Sequence, residues 1–190
     1  MPFCSDKPPP AKLATVEDLC FIKNVIAKTS VPSWVESVPC NFGDRSAGTL
    51  KADEWRTLST IYLPLALIAL WGTDATATTR ALHLHRVLGH TMLLVSAITI
   101  ACKRTTSQLR SQMYLQCMVP YISQLVDIHP HATVRPYHHM SMHLPHFFSL
   151  FGPARTMWTY PFERLIGQIQ RLLSNHKLGK LSQIISLCII

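Results

Sequence analysis

Six of the ten histidines lie between residues 129 and 146, and His139, His143 and His146 fall at i, i+4 and i+7. On one continuous helix these three imidazoles project from the same face, which can present nitrogen ligands to Zn²⁺. A structural zinc site normally needs four N or S ligands, however, and no cysteine or carboxylate stands nearby to complete that shell. Pro145 also disturbs any helix that does not begin there. Packing or capping is the competing role for His143. The pair His83 and His85 sits at i, i+2, which does not face one site on a helix.

Glu163 is the only acid in the last 60 residues, at the start of an apolar-periodic segment and flanked by Phe162 and Arg164. A carboxylate in basic surroundings can serve as one ligand of a two-metal centre that activates water or a 3′-hydroxyl against a phosphodiester. One carboxylate cannot assemble such a centre. A first-turn residue interacting with the helix dipole and with Arg164 explains the position more simply.

Around Glu163, cations and flat rings alternate: Arg155, Trp158, Tyr160, Phe162, Arg164, Arg171, His176, Lys177 and Lys180. Such a run can neutralise phosphates while stacking on unpaired bases. Arg164 and Arg171 (i, i+7) share a helix face opposite Leu165, Ile169 and Leu172. Arg155, Arg164, Arg171, Lys177 and Lys180 are accordingly the candidate nucleic-acid contacts. The structural alternative makes Trp158, Tyr160 and Phe162 core plugs at a helix–helix corner, with the arginines as a solvated face. Trp55, Trp71 and Phe147 are expected in the core in the same way.

Several distinctive phrases stand close together: Met142–Pro145 (MHLP), Phe151–Pro153 (FGP), Trp158, Pro161–Gly167 (PFERLIG) and Asn175–Lys177 (NHK). With SWVESVP (33–39), SAGTLKADEWR (46–56) and HTMLLVSAITIACKRT (90–105), the chain resembles the domain of unknown function found within or beside CACTA-type (En/Spm-like) transposases of fungi and plants. The resemblance covers most of the chain. It implies a transposon-derived, non-catalytic accessory or remnant module that contacts DNA or a partner transposase through the basic C-terminal face. It also implies a nuclear location. The alternatives are a fragment of an acidic-triad, RNase H-like transposase, in which Glu163 supplies one carboxylate and Mg²⁺ is the metal, and a helical protein–protein scaffold without a DNA role. Apart from that Mg²⁺, no cofactor is expected. The first two acids of such a triad come from strands of a βαβ core, for which this chain has no pattern. Relatives continue with helical sequence after NHK, so the ending LSQIISLCII looks truncated.

Charge supports a polyanion partner independently of that resemblance. The 190 residues carry a formal net charge of +8. Residues 1–100 nearly balance, with nine Lys/Arg against eight Asp/Glu, whereas residues 101–190 set nine Lys/Arg against only Asp127 and Glu163. Such asymmetry is a footprint of phosphate binding. The six cysteines are scattered without a CxxC pair, and the N-terminus lacks an apolar h-region, which together point to reduced intracellular thiols. No GxSxG, Gly-rich phosphate loop or HExxH occurs, so neither nucleophilic catalysis nor a small-molecule substrate has a motif to rest on.

The elements that must position these residues read as helices. At 48% hydrophobic and 15% charged, the chain has enough apolar content for one packed domain over most of its length. The expected fold is an all-α, single irregular bundle of about six or seven helices with Pro-kinked members, spanning 13–180. A disordered tail is expected at 1–12 and an apolar tail at 181–190. Helices are expected over 13–28, with Thr15 as cap, and 51–71, kinked or split at Pro64. Others follow over 77–103, capped by Thr73 or Asp74, over 106–127, over 139–151 and over 161–174. Residues 31–48 and 129–139 read as connectors. The apolar runs 61–71 and 87–102 hold eleven and sixteen residues. Both fall short of the roughly 20 residues a membrane span needs, which favours core helices and no membrane partner.

Overall fold

The computed structural model describes residues 14–35, 37–39, 41–44, 48–72, 78–157, 159, 162 and 165–169. Among these the chain is all-α: seven helices and no strand. Helix α1 spans Val16–Lys28, α2 Ala52–Thr57, α3 Leu63–Trp71 and α4 Thr79–Ala101. Helix α5 spans Gln108–Ile128, α6 Pro136–Met142 and α7 Leu144–Phe151, followed by a 3₁₀ turn at Ala154–Thr156. Phe162 and residues 165–169 are also helical. The remainder of the expected 161–174 helix and both expected tails lie outside the described residues.

Local chemistry sets most of the boundaries. Thr15 caps α1 reciprocally, its Oγ1 accepting from the Asp18 N–H (3.1 Å) while the Asp18 carboxylate accepts from the Thr15 N–H (2.8 Å). Ser107 caps α5, accepting from the Arg110 N–H at 3.2 Å. The cap of α4 is Thr78, which accepts from the Ala81 N–H at 3.1 Å. It replaces the expected Thr73 or Asp74, because a threonine hydroxyl nearer the first turn already satisfies the free donors.

The two internal prolines are handled differently. At Pro64 the expected 51–71 segment is divided into α2 and α3, joined by continuous helical backbone. Ahead of the proline, Leu58–Tyr62 widens into a π turn, in which the Leu63 N–H reaches back five residues to the Leu58 carbonyl, and α3 then continues with Pro64 in its first turn. A wider turn makes room for a ring that would otherwise strike the preceding carbonyls. Ser59 and Thr60 hydroxyls donate to the carbonyls of Trp55 and Arg56, each at 2.7 Å. Pro120, by contrast, sits inside an unbroken α5.

Two further boundaries depart from expectation. Residues 129–139 are not all loop: α6 begins at Pro136, whose fixed φ suits the first helical position, and His138 Nδ1 accepts the Arg135 N–H at 2.8 Å. The expected 139–151 helix is two helices, α6 and α7, separated at His143. Pro145 has no N–H to extend α6, so it starts a new helix instead. Gly152 ends α7 at φ 81°, where a side chain would be strained.

The core has two centres. The larger gathers Ile22 and Ile26 of α1, Leu58, Tyr62, Leu67 and Trp71 of the α2–α3 segment, Val87 and Leu88 of α4, and Ile128 of α5. Val38, from the proline-punctuated connector, plugs into it. The smaller surrounds Ala97, Tyr114 and Met118, where α4 and α5 pack antiparallel over most of their length. Trp71 is buried as expected and Phe147 half-buried, but Trp55 is about half exposed, its ring edge-on to Phe42 at 6.3 Å. Phe162 is exposed rather than a core plug.

Tyr114 links the second centre to α6. Its ring is buried edge-on to Phe148, its hydroxyl donates to the Ser141 carbonyl at 3.0 Å, and burial pushes its pKa up to about 12. Tyr114→Phe should cost about 1 kcal/mol, because the carbonyl loses its donor while the packing stays. Urea denaturation of the two proteins measures that difference.

Helix α4 is long and apolar enough, by length and composition, to cross a membrane. It is longer than the 87–102 run because Thr79–Arg86 joins the same helix. Arg86 and three histidines lie within it, and α5 packs along it.

Candidate nucleic-acid interface

Positive charge gathers at the corner where α4 turns into α5. Lys103 and Arg104 follow the end of α4, and both are exposed. Arg110, in the first turn of α5, folds back so that Nη1 donates to the Thr105 carbonyl (2.6 Å) and to the Thr105 hydroxyl. Arg155 arrives from the 3₁₀ turn some fifty residues later, its Nε donating to the Cys102 carbonyl at 3.2 Å. Four cations thereby meet at one end of the molecule.

The start of α5 adds a partial positive charge there, while the end of α4 carries a partial negative one that the adjacent cations offset. Beside it lies a cleft of about 550 Å³ lined by Thr106, Ser107, Ser111 and Ser149, with Pro145 and Phe148 at its apolar side. The nearby Asp53–Arg56 ion pair (2.5 Å) is internally neutral. Burial raises the Cys102 thiol pKa, and Arg56 and Arg155 oppose that shift. The net direction favours the thiol over the thiolate, so Cys102 is poorly suited to act as a nucleophile.

Of the residues expected to contact nucleic acid, Arg155 belongs to this corner. Arg164, Arg171, Lys177 and Lys180 lie outside the described residues, as does Glu163. Lys103, Arg104 and Arg110 were not singled out by the sequence as contacts. The available signal was KRTTS (103–107) between two long helices, where cations and hydroxyls crowd a tight connection. The expected histidine trio is brought together only in part. His139 and His143 face each other with Nε2 atoms 3.1 Å apart, whereas His146 stands beyond the helix break beside Phe147. Among the described residues no group of three or more His, Cys, Asp or Glu could hold a metal ion.

A second polar cluster lies inside the α4–α5 pair. His90 is 3% exposed; it stacks on Tyr121 at 4.6 Å, and its Nε2 lies 2.8 Å from the Tyr121 carbonyl, which requires the proton to be on Nε2. His129 stands 5.3 Å from His90, and a cavity of about 210 Å³ opens beside them between Arg86, Gln124 and Asp127. Burial, then His90 and His83, push the His129 pKa below its ordinary value of 6.5. The unfolded chain thus takes up this proton at a higher pH than the folded one. The stabilisation is complete above pH 6.5 and is lost as pH falls below it. His129→Gln should flatten the acid side of the stability–pH curve, as read by urea midpoints between pH 5 and pH 7.5.

Comparison with protein families, with curated proteins and with solved structures returned no match to this chain.

Proposed function

We propose that the chain is a non-catalytic module that contacts the phosphate backbone of nucleic acid through the α4–α5 corner and the basic sequence that follows α7. The observation that carries this reading is the Arg155–Cys102 hydrogen bond, which joins a cation of the C-terminal basic run to Lys103, Arg104 and Arg110. A cluster of exposed cations neutralises phosphates without reading base sequence, so the expected binding is salt-dependent and weakly selective. That behaviour fits the accessory or remnant role implied by the resemblance to CACTA transposase-associated domains, in which DNA or a partner transposase is the target and the nucleus the location. Binding of labelled DNA to the wild type and to a Lys103→Ala/Arg104→Ala/Arg110→Ala variant tests it.

Exposed Leu65 and Ile68 on α3 and Leu109 and Met113 on α5 favour a second reading, a helical protein–protein scaffold. The same DNA experiment separates the two, because a scaffold leaves the DNA unbound at low salt.

A further inference from the structure

The geometry points to a bidentate site for a divalent transition cation of the Zn²⁺ or Cu²⁺ type, formed among the described residues by His139 and His143. His139 lies in the last turn of α6 and His143 is its C-cap, still in right-handed helical backbone (φ −87°, ψ −7°). The two side chains therefore stand one turn apart on the same face. Their rings meet nearly perpendicular, with centroids 4.8 Å apart and Nε2 atoms 3.1 Å apart.

That spacing matches the bite of a chelate. A metal placed symmetrically at the usual Zn–N distance of roughly 2.05 Å from both nitrogens would subtend an angle of about 98°. This value falls between the right angle of tetragonal Cu²⁺ and the wider angle of tetrahedral Zn²⁺, both of which imidazole suits. Without a metal, one Nε2 carries a proton and donates it to the other. On binding, that proton passes through solvent to Nδ1 of the same ring. Both imidazoles then remain neutral and offer Nε2 lone pairs to the cation.

The neighbouring histidines do not join the pair. His138 already accepts the Arg135 N–H through Nδ1, and His146 starts from a different helix. Both His139 and His143 are exposed, which leaves the remaining coordination positions to water. The cation takes the place of the shared proton and pins the C-terminal turn of α6 ahead of the break at His143.

Zn²⁺ titration of the full chain against a chromogenic chelator tests the site, with His139→Gln/His143→Gln as background for cysteines and other histidines. The wild type should bind one Zn²⁺ more than this double variant. His139→Gln and His143→Gln should each weaken that extra site at least tenfold, and His146→Gln should leave it unchanged, with helicity by circular dichroism equal throughout. Equal binding by wild type and double variant would overturn the proposal. So would a loss in His146→Gln as large as in His139→Gln, because the site would then need a third imidazole.

Discussion

Leu58→Ala should remove about 2–5 kcal/mol from the stability of the fold, the range for deleting a large buried aliphatic side chain. Leu58 is 0% exposed and stands in the π turn, which packs against α1 and α4. It therefore lies where three helical layers converge, and a cavity there has few ways to collapse. The π turn is fixed by Pro64 and cannot easily rewind to fill the space. Since small domains are stable by only about 5–15 kcal/mol, the variant should shift its urea midpoint strongly while keeping its m-value. A cost below about 1 kcal/mol would mean that the α2–α3 segment is not the centre of the core.

Lys103→Ala/Arg104→Ala/Arg110→Ala should weaken DNA binding by at least about tenfold at low salt and flatten its salt dependence. Each phosphate neutralised on a duplex contributes about 0.9 to the slope of log K against log salt, so removing three contacts should lower that slope by about 2.7. The effect should be similar for unrelated DNA sequences, because backbone contacts carry no base information. Lys28→Ala, an exposed cation at the end of α1, should change little and serves as the control for net charge. Loss of binding in Arg164→Ala/Arg171→Ala with the corner variant intact would shift the interface to the sequence after α7.

The all-α architecture was legible because apolar spacing marks the long helices and the caps of α1 and α5 are read from neighbouring residues. Thr15 with Asp18 and Ser107 before α5 are local signals, and local signals survive in sequence. The accommodation of Pro64 was not legible, since a proline announces a disturbance but not whether the chain kinks, breaks or widens. Nor was the split at His143. Residues 139–151 carry an apolar pattern on both sides of Pro145, and only the missing N–H decides that a new helix begins. The site was legible in one residue of four. Arg155 stood in a conspicuous basic run. Lys103 and Arg104 follow the end of α4, where cations offset the helix dipole, a role compatible with phosphate contact. Their meeting with Arg155 depends on a hydrogen bond across some fifty residues, which no local pattern records. Conversely, Trp55 read as core because it is large and apolar, yet it is about half exposed, its ring edge-on to Phe42.

Fluorescence anisotropy of labelled single- and double-stranded DNA, titrated with the full chain across a salt series, tests the central claim most directly. Four corner contacts should give a slope near −3.6 on duplex DNA and weaken binding on the order of 10²-fold between 50 and 200 mM salt. A steeper slope would add contacts from Arg164, Arg171, Lys177 and Lys180. No binding at low salt, or binding indifferent to salt, would contradict a phosphate-contacting role for this chain.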